Sequence, residues 1–452
     1  MSVTISFASV PTALQWKYTR CARGGVVLRT LTAVLLGAGS RGRYIYGPYA
    51  EKFPNELKIV AVAEPDDERR NRFAEIHRIA PEHVYDSWEK VFDQGQIADV
   101  MIIATLDRMH YIPAMKAMEL GYHVMLEKPM SPSMEECIEL EQASLRYKRL
   151  LVVTHVLRYS PFWSGIKKCI EDGELGTIGT IQLTENVGYL HMTHSYVRGN
   201  WRNSEETSPM ILAKSCHDLD LISWLMNQPC TSVSSYGSLL HFRAENAPEG
   251  STDRCINGCE VEKECAFSAM KIYIQPPGHP WARYMTNDLS QEGILKALKE
   301  GPWGRCVYHC DNNVVDHQVV NMEFENGANA SFIMSGLTQS GTRRVQIMGT
   351  QGEIIGDMDK GSFTLYRYVS GEKVEIGCNV EGDGHGGGDD RMVGSFLRNV
   401  RQFDSNPSQG LTSATASLQS HLIAFASEHS RLNAGQAVKL SDLQKKEEYK
   451  IK

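Results

Sequence analysis

A strand-like run that breaks into spaced glycines constrains this chain more than any other feature. Residues 34–42 read V-L-L-G-A-G-S-R-G, which places Gly37, Gly39 and Gly42 in the spacing G-x-G-x-x-G. Gly37 suits a tight turn, Gly39 leaves the backbone bare, and Gly42 lets the next helix pack on the strand. The N–H groups that open such a helix, around Ser40, Arg41 and Gly42, face an anion. A second apolar run, I-V-A-V-A-E at 59–64, ends on Glu64. That position, about 20 residues downstream, lets a carboxylate bond ribose hydroxyls. The glycines alone would also fit a turn in another α/β protein. Strand, glycines and acid-ended strand together predict a dinucleotide site. Glu64 predicts NAD, because its charge repels a 2′-phosphate. Arg69 and Arg70 could pair with that phosphate in an NADP-binding site, or simply line a solvated first helical turn.

At 452 residues the chain can bury large cores and divides naturally into two or three domains. The net charge is −7, with both signs interspersed, so no basic stripe points to nucleic acid. No apolar run reaches the roughly 18 residues that span a bilayer. Eleven cysteines in a long chain do not read as a secreted disulfide framework, and a reducing cytoplasm is the expectation. Residues 1–30 carry Lys17, Arg20, Arg23 and Arg29 and no acid. They lack a continuous apolar core before a cleavage site, and read as a disordered extension.

From 31 to about 155, strand-like runs alternate with helical patterns, the rhythm of a doubly wound parallel sheet. The helices are expected near 42–52, 67–77, 111–120 and 134–149. From 156 to 452 the pattern changes. A helix near 161–172 and the strand T-I-G-T-I-Q-L-T-E precede a loop rich in aromatics, His and Arg at 189–202. A helix carrying H-D-L-D-L-I-S-W-L follows, then alternating segments joined by Asn-Gly and Gln-Gly turns, then a last helix ended by Gly435. The alternating segments predict an antiparallel sheet with one face solvated or covered by a partner. The expected fold is therefore a Rossmann α/β domain plus an α+β domain with an open antiparallel sheet.

Four motifs then stand in order: G-A-G-S-R-G at 37–42, I-I-A-T-L-D-R-M-H at 102–110, E-K-P at 127–129 and C-H-D-L-D at 216–220. With them the chain resembles the Gfo/Idh/MocA oxidoreductases over roughly 31–226. The resemblance implies hydride transfer between a sugar, inositol or related polyol and a nicotinamide, and a sheet domain that often forms the dimer interface. A homo-oligomer, dimer or tetramer, is expected.

Ligands of open α/β sheets sit at the carboxyl ends of the strands. Thr105, Asp107 and His110 follow one such end, and Glu127 and Lys128 another, so all five are expected at the cofactor. Lys128 can do acid/base work if its surroundings lower its pKa; alone it would read as an exposed loop residue, and the resemblance assigns it to the reacting hydroxyl. His217 and Asp220 share a helical face; the resemblance makes His217 the second acid/base and leaves Asp220 as a substrate contact. Many dehydrogenases of the family carry Asp four residues before that His. Here Ala213 stands there, with Lys214 beside it. Lys214 could bind an anionic group or supply the absent function. Some relatives with altered sites are NAD-dependent glycosidases that oxidise, eliminate, hydrate and return the hydride, and Ala213 keeps that reaction open. A non-catalytic dinucleotide sensor is the reading from a different class. In the loop, His194, Tyr196, Arg198, Trp201 and their neighbours suit sugar rings and carboxylates; Arg158 and Tyr159, after a strand, are similar candidates. The glycine-rich 384–389 segment is expected to be irregular and to close over the site or a neighbouring subunit.

Cys255, Cys259, Cys265 and Cys306 could enclose a tetrahedral structural zinc. The spacing is not a C-x-x-C pair; an iron–sulfur cluster or a set of reduced thiols are the alternatives.

Overall fold

The computed structural model describes residues 29–274, 280–378, 385–405 and 410–443. Residues 1–28, and with them the expected N-terminal extension, lie outside these, as does Gly384 of the glycine-rich segment. Six strands form the first sheet: β1 (Leu31–Leu36), β2 (Leu57–Ala63), β3 (Val84–Tyr85), β4 (Val100–Ile103), β5 (His123–Leu126) and β6 (Leu151–Val153). All pairings are parallel, in the order β3-β2-β1-β4-β5-β6. This is the Rossmann order, and it puts the crevice between β1 and β4, where the winding reverses. The strands are apolar almost throughout because helices cover both faces. One covering element arrives late in the chain: Val393, Phe396 and Leu397, from the helix Gly388–Gln402, pack with Leu35 and Val62.

The expected helix after the glycines forms, but its first turns are wider. The coil is helical over 40–52, of π type over Gly42–Tyr46 and α type over Gly47–Lys52. Gly37 has φ +91°, and a Cβ there would meet Ala104 O at 2.5 Å. A Cβ at Gly42 would meet Gly37 O at 2.4 Å.

The second sheet has nine strands: β7 (Ile178–Asn186), β8 (Cys230–Ser238), β9 (His317–Phe324), β10 (Asn329–Ser335), β11 (Thr342–Gly349), β12 (Gly352–Asp357), β13 (Ser362–Arg367), β14 (Lys373–Gly377) and β15 (Val438–Lys439). Their order is β14-β13-β12-β11-β7-β10-β9-β8-β15, with β10 parallel to β7 and every other pair antiparallel. Period-two alternation buries Phe332, Met334 and Ile354 and leaves Ile333 and Ile355 outside. The buried face meets the helices Pro161–Glu171, Cys216–Met226 and Ala414–Leu432. Its core is continuous with that of the first sheet.

Two expectations need correction here. The segment 189–202 is not a loop throughout: Tyr189–His191 is α-helical, Met192–Arg198 continues as a π-type coil, and every residue of the latter is buried. The glycine-rich segment is not wholly irregular either, since Gly388 and Asp389 open a 15-residue helix. Between β8 and β9, residues 239–316 form a long insertion. Its short helices Ala269–Tyr273 and Gln291–Glu300 close a small core of their own.

Candidate active site

At the mouth of the crevice, Glu64 is buried at the end of β2. Its Oε2 accepts from Ala38 N at 2.8 Å and its Oε1 from Asp66 N at 3.1 Å. The acid therefore ties the glycine-rich turn to the second strand. Arg69 and Arg70 fold back on their own helix. Arg69 lies 3.4 Å from Glu64 and 3.5 Å from Asp66; Arg70 donates to Glu64 O at 2.7 Å and pairs with Asp67. A Cβ at Gly39 would meet nothing within 4 Å, so the space over that residue is open. Open space beside the glycines, a helix start and a buried ribose-side carboxylate fit a dinucleotide.

The E-K-P turn is held from all sides. Glu127 accepts from Arg41 Nε at 2.6 Å, from Thr154 Oγ1 at 2.7 Å and from Tyr46 OH. Burial pushes its carboxyl up, but Arg41 and these hydrogen bonds win and hold it at about 2. Arg41 also reaches Asp389 at 2.8 Å, which docks the helix Gly388–Gln402 on the glycine-rich turn. His110 binds Pro129 O at 2.7 Å and Thr105 O at 3.2 Å. His421, from the last long helix, accepts from Met130 N at 2.9 Å and donates to Ser417 O at 2.9 Å, a neutral ring that burial keeps neutral, at about 3. Thus Arg41, Glu127 and His110 spend their polar atoms on positioning the turn. Thr105 caps Met109 O at 2.9 Å, and Asp107 accepts from Trp201 Nε1 at 3.0 Å and from Ser208, bridging the two sheets' loops.

Lys128, half-buried at the end of β5, donates from Nζ to Ala213 O at 2.6 Å. The main-chain carbonyl at the substituted position thus fixes the lysine. His217, on the next helix, is buried, and its Nδ1 has no hydrogen-bond partner among the described residues. Burial, then the charge of Lys128 and the rings of His155 and His385, push its pKa well below the ordinary 6.5. The His155 and His385 rings stand 5.8 and 6.0 Å from it. The segment starting at His385 therefore does close on this centre. Lys214 pairs with Glu185 at 3.1 Å; Glu185 pairs with Arg343 at 2.9 Å, its partner across the β7–β11 ladder; Arg343 reaches Asp218 at 2.7 Å. Burial lowers Lys214 and raises Asp218 to about 6 against the pull of Arg343.

Several expected substrate contacts are engaged elsewhere. Arg158 and Asp220 bond each other twice, at 2.7 and 2.6 Å, in a buried pair, and Tyr159 OH meets Thr412 Oγ1 at 3.2 Å. His194 stacks on Trp303 with ring centroids 5.6 Å apart and bonds Tyr273 OH at 2.9 Å; Arg198 donates to Arg305 O and Phe267 O, each at 2.7 Å. Those two seat the insertion. Tyr196 is buried close to Glu185 and Arg343. Glu185, Arg343, Asp218, His155 and His385 were not singled out from sequence. Asp218 lies inside the motif C-H-D-L-D and His385 inside the glycine-rich segment; nothing local marks Glu185 or Arg343, because strand pairing brings them in.

The expected zinc has no site: among the described residues no three or more His, Cys, Asp or Glu are placed to hold a metal ion. None of the ten described cysteines is in a disulfide. No helix among the described residues is long and apolar enough to cross a membrane.

Comparison with known proteins decides the kinship. Residues 31–155 match the oxidoreductase family with NAD-binding Rossmann fold, and residues 167–406 match its C-terminal alpha/beta domain. The chain belongs to the Gfo/Idh/MocA oxidoreductase family. YteT of Bacillus subtilis (strain 168), classed as an oxidoreductase, is 23% identical over 384 residues, 80% of this chain and 87% of that protein. The NADP(+)-linked scyllo-inositol 2-dehydrogenase IolW of the same strain is 29% identical over 180 residues, 40% of this chain and 47% of that protein. Inositol 2-dehydrogenase 4 of Saccharopolyspora erythraea is 28% identical over 235 residues, 50% of this chain and 62% of that protein. A solved levoglucosan dehydrogenase in complex with NADH and levoglucosan shares the fold, with a TM-score of 0.67 at 18% identity, covering 91% of this chain and 99% of that one.

Proposed function

We propose that this oxidoreductase removes hydride from a ring hydroxyl of a sugar, inositol or related cyclic polyol, with Lys128 and His217 at the reacting oxygen. The observation that carries this reading is a pinned Lys128 whose charge acts on a buried, neutral His217 with no partner for its Nδ1 among the described residues. A buried polar atom without a partner is costly, and a substrate hydroxyl would satisfy it. The bound nicotinamide supplies the hydride acceptor. His217, neutral at working pH, takes the hydroxyl proton, while the Lys128 ammonium donates to the oxygen as its charge grows. The inositol and levoglucosan dehydrogenases among the relatives support this substrate class.

Glu64 supports NAD as the preferred cofactor, with Arg69 and Arg70 committed to carboxylates and backbone of their own turn. Titration should show NAD binding at least as tightly as NADP. A clear preference for NADP that is abolished by Arg69→Ala or Arg70→Ala overturns this choice. The domain limits 31–155 and 156–452 remain part of the proposal, with Gly388–Gln402 packed on the first sheet. Ile333 and Tyr236, exposed in one cross-strand row with Val319 on the open face of the second sheet, support a homo-oligomer.

Ala213 favours one further reading, redox-neutral cleavage of a glycoside, for which the His155–His217 pair offers a second base. The deciding experiment offers sugars, inositols and aryl glycosides in deuterated water. Accumulating reduced nicotinamide supports the dehydrogenase. Aglycone release with deuterium beside the oxidised carbon, and no standing reduced cofactor, refutes it. Intact cofactor binding without any turnover would indicate a sensor.

A further inference from the structure

The insertion 239–316 carries four thiols around one cavity. Cys255, Cys259, Cys265 and Cys306 all line it, together with Arg198, Phe267 and Tyr308. The chain builds this convergence in two steps. An antiparallel bridge between Arg254 and Arg305 is flanked by Cys255 N donating to Gly304 O at 3.0 Å and Cys306 N donating to Asp253 O at 2.8 Å, which sets Cys306 beside Cys255. Tight turns then bring back the next two cysteines: Glu262 N bonds Cys259 O at 3.3 Å, and Cys265 N bonds Val261 O at 3.0 Å.

Arg198 supplies an independent observation. It is fully buried, yet no carboxylate pairs with it among the described residues, and its Nη1 has no hydrogen-bond partner. Its Nη2 lies 3.9 Å from Cys255 Sγ, which also accepts from Ala269 N at 3.4 Å. A buried, unpaired guanidinium is expensive and calls for an anion beside it. A protonated thiol does not provide one.

A single ion would need its ligands gathered around one point, at about 2.3 Å for each thiolate on zinc. The described residues contain no such group. A cubane differs, because each sulfur ligates a different iron and the four thiolates stand apart around a core. We propose that Cys255, Cys259, Cys265 and Cys306 ligate a [4Fe–4S] cluster in this cavity, with Arg198 as its buried counter-charge. Each thiol loses its proton on ligation, and core plus thiolates form a net dianion that Arg198 partly offsets. N–H donors to the cysteine sulfurs are the hydrogen bonds that tune such clusters. The cluster also answers a structural need. Among the described residues the insertion's separate core holds six buried apolar side chains, while others such as Phe242 and Val307 join the main core, so a staple would add to a small local core. The segment it fixes reaches the glycine-rich side of the crevice, where Arg43 bonds Asn287 at 2.6 Å and Tyr44 bonds Arg283 O at 3.4 Å.

The test is independent of substrate and cofactor. The full chain, purified without oxygen and reconstituted with equal amounts of ferrous and ferric iron and with sulfide, should carry about four irons and four inorganic sulfides, with a broad visible sulfur-to-iron absorption. Cys255→Ser and Cys306→Ser should each lose most of that iron and sulfide, and limited proteolysis should then cut within 239–316. Cys169→Ser and Cys378→Ser, away from the cavity, should retain both. Stoichiometric zinc without sulfide, no bound metal in the wild type, or full iron and sulfide in the Cys255 and Cys306 variants would each overturn the assignment.

Discussion

Replacing Glu127 with glutamine tests whether the E-K-P turn rests on a buried charge. The carboxyl is held at about 2 against an ordinary 4.5. That difference corresponds to about 3 kcal/mol of folded-state preference for the ionised form. Both oxygens accept from donors only: Arg41 and Tyr46 on one side, Thr154 and, at 3.3 Å, the Lys128 N–H on the other. Whichever way the amide of Glu127→Gln turns, its NH₂ faces an N–H that cannot accept, Arg41 Nε on one side or the Lys128 N–H on the other, and Arg41 keeps only Asp389 as a partner charge. The pKa is depressed, so the stabilisation is complete above about pH 4.5 and is lost as pH falls from there to about 2. Urea unfolding should therefore show the variant about 3 kcal/mol less stable at neutral pH, with the gap to wild type shrinking through that acid window. Because other carboxylates titrate there too, the readout is the difference between the two proteins. In an Arg41→Met background the same substitution should cost at least 1 kcal/mol less, since the two sites are coupled. A gap below about 1 kcal/mol at neutral pH, or one that stays constant into acid, would refute the reasoning.

Lys128→Met should lower kcat by about 10²–10⁴-fold while leaving dinucleotide affinity within a few-fold; near-normal turnover removes Lys128 from the chemistry. Asp218 is raised to about 6, so its contribution is complete below its ordinary 3.8 and is lost as pH rises through about 6. Asp218→Asn, with Arg343, Glu185 and Lys214 unchanged, should flatten that fall in unfolding stability, and an unaltered slope contradicts the assignment. Ile333, Val319 and Tyr236 form one cross-strand row on the open face of the second sheet, and Ile333 and Tyr236 are 45% and 60% exposed. Ile333→Asp should shift the chain toward monomer in light scattering; a wild type that is monomeric at working concentration would rule out that row as an interface.

The motifs that declared themselves in sequence are those whose chemistry is local. Gly37 needs its positive φ within its own turn, Glu64 ends its own strand, and E-K-P follows directly on β5. Alternation likewise announced the second sheet, because period two is a property of one strand at a time. Residues 189–202 misled for the opposite reason. Their polar atoms look solvated until partners from far along the chain appear, such as Tyr273 for His194 and Phe267 O for Arg198.

Pairing across distance was decided by the tertiary structure alone. Arg158 and Asp220 look like two free substrate contacts, yet 62 residues apart they neutralise each other, since a buried charge left unpaired is costly. His421 steadies Met130 across 291 residues, and Arg343 meets Glu185 only through the register of β11 on β7. Sequence thus determined which backbone and which reactive groups this protein has. Packing decided which of those groups are spent on one another, because only burial sets the cost of leaving a charge or hydrogen bond unmet.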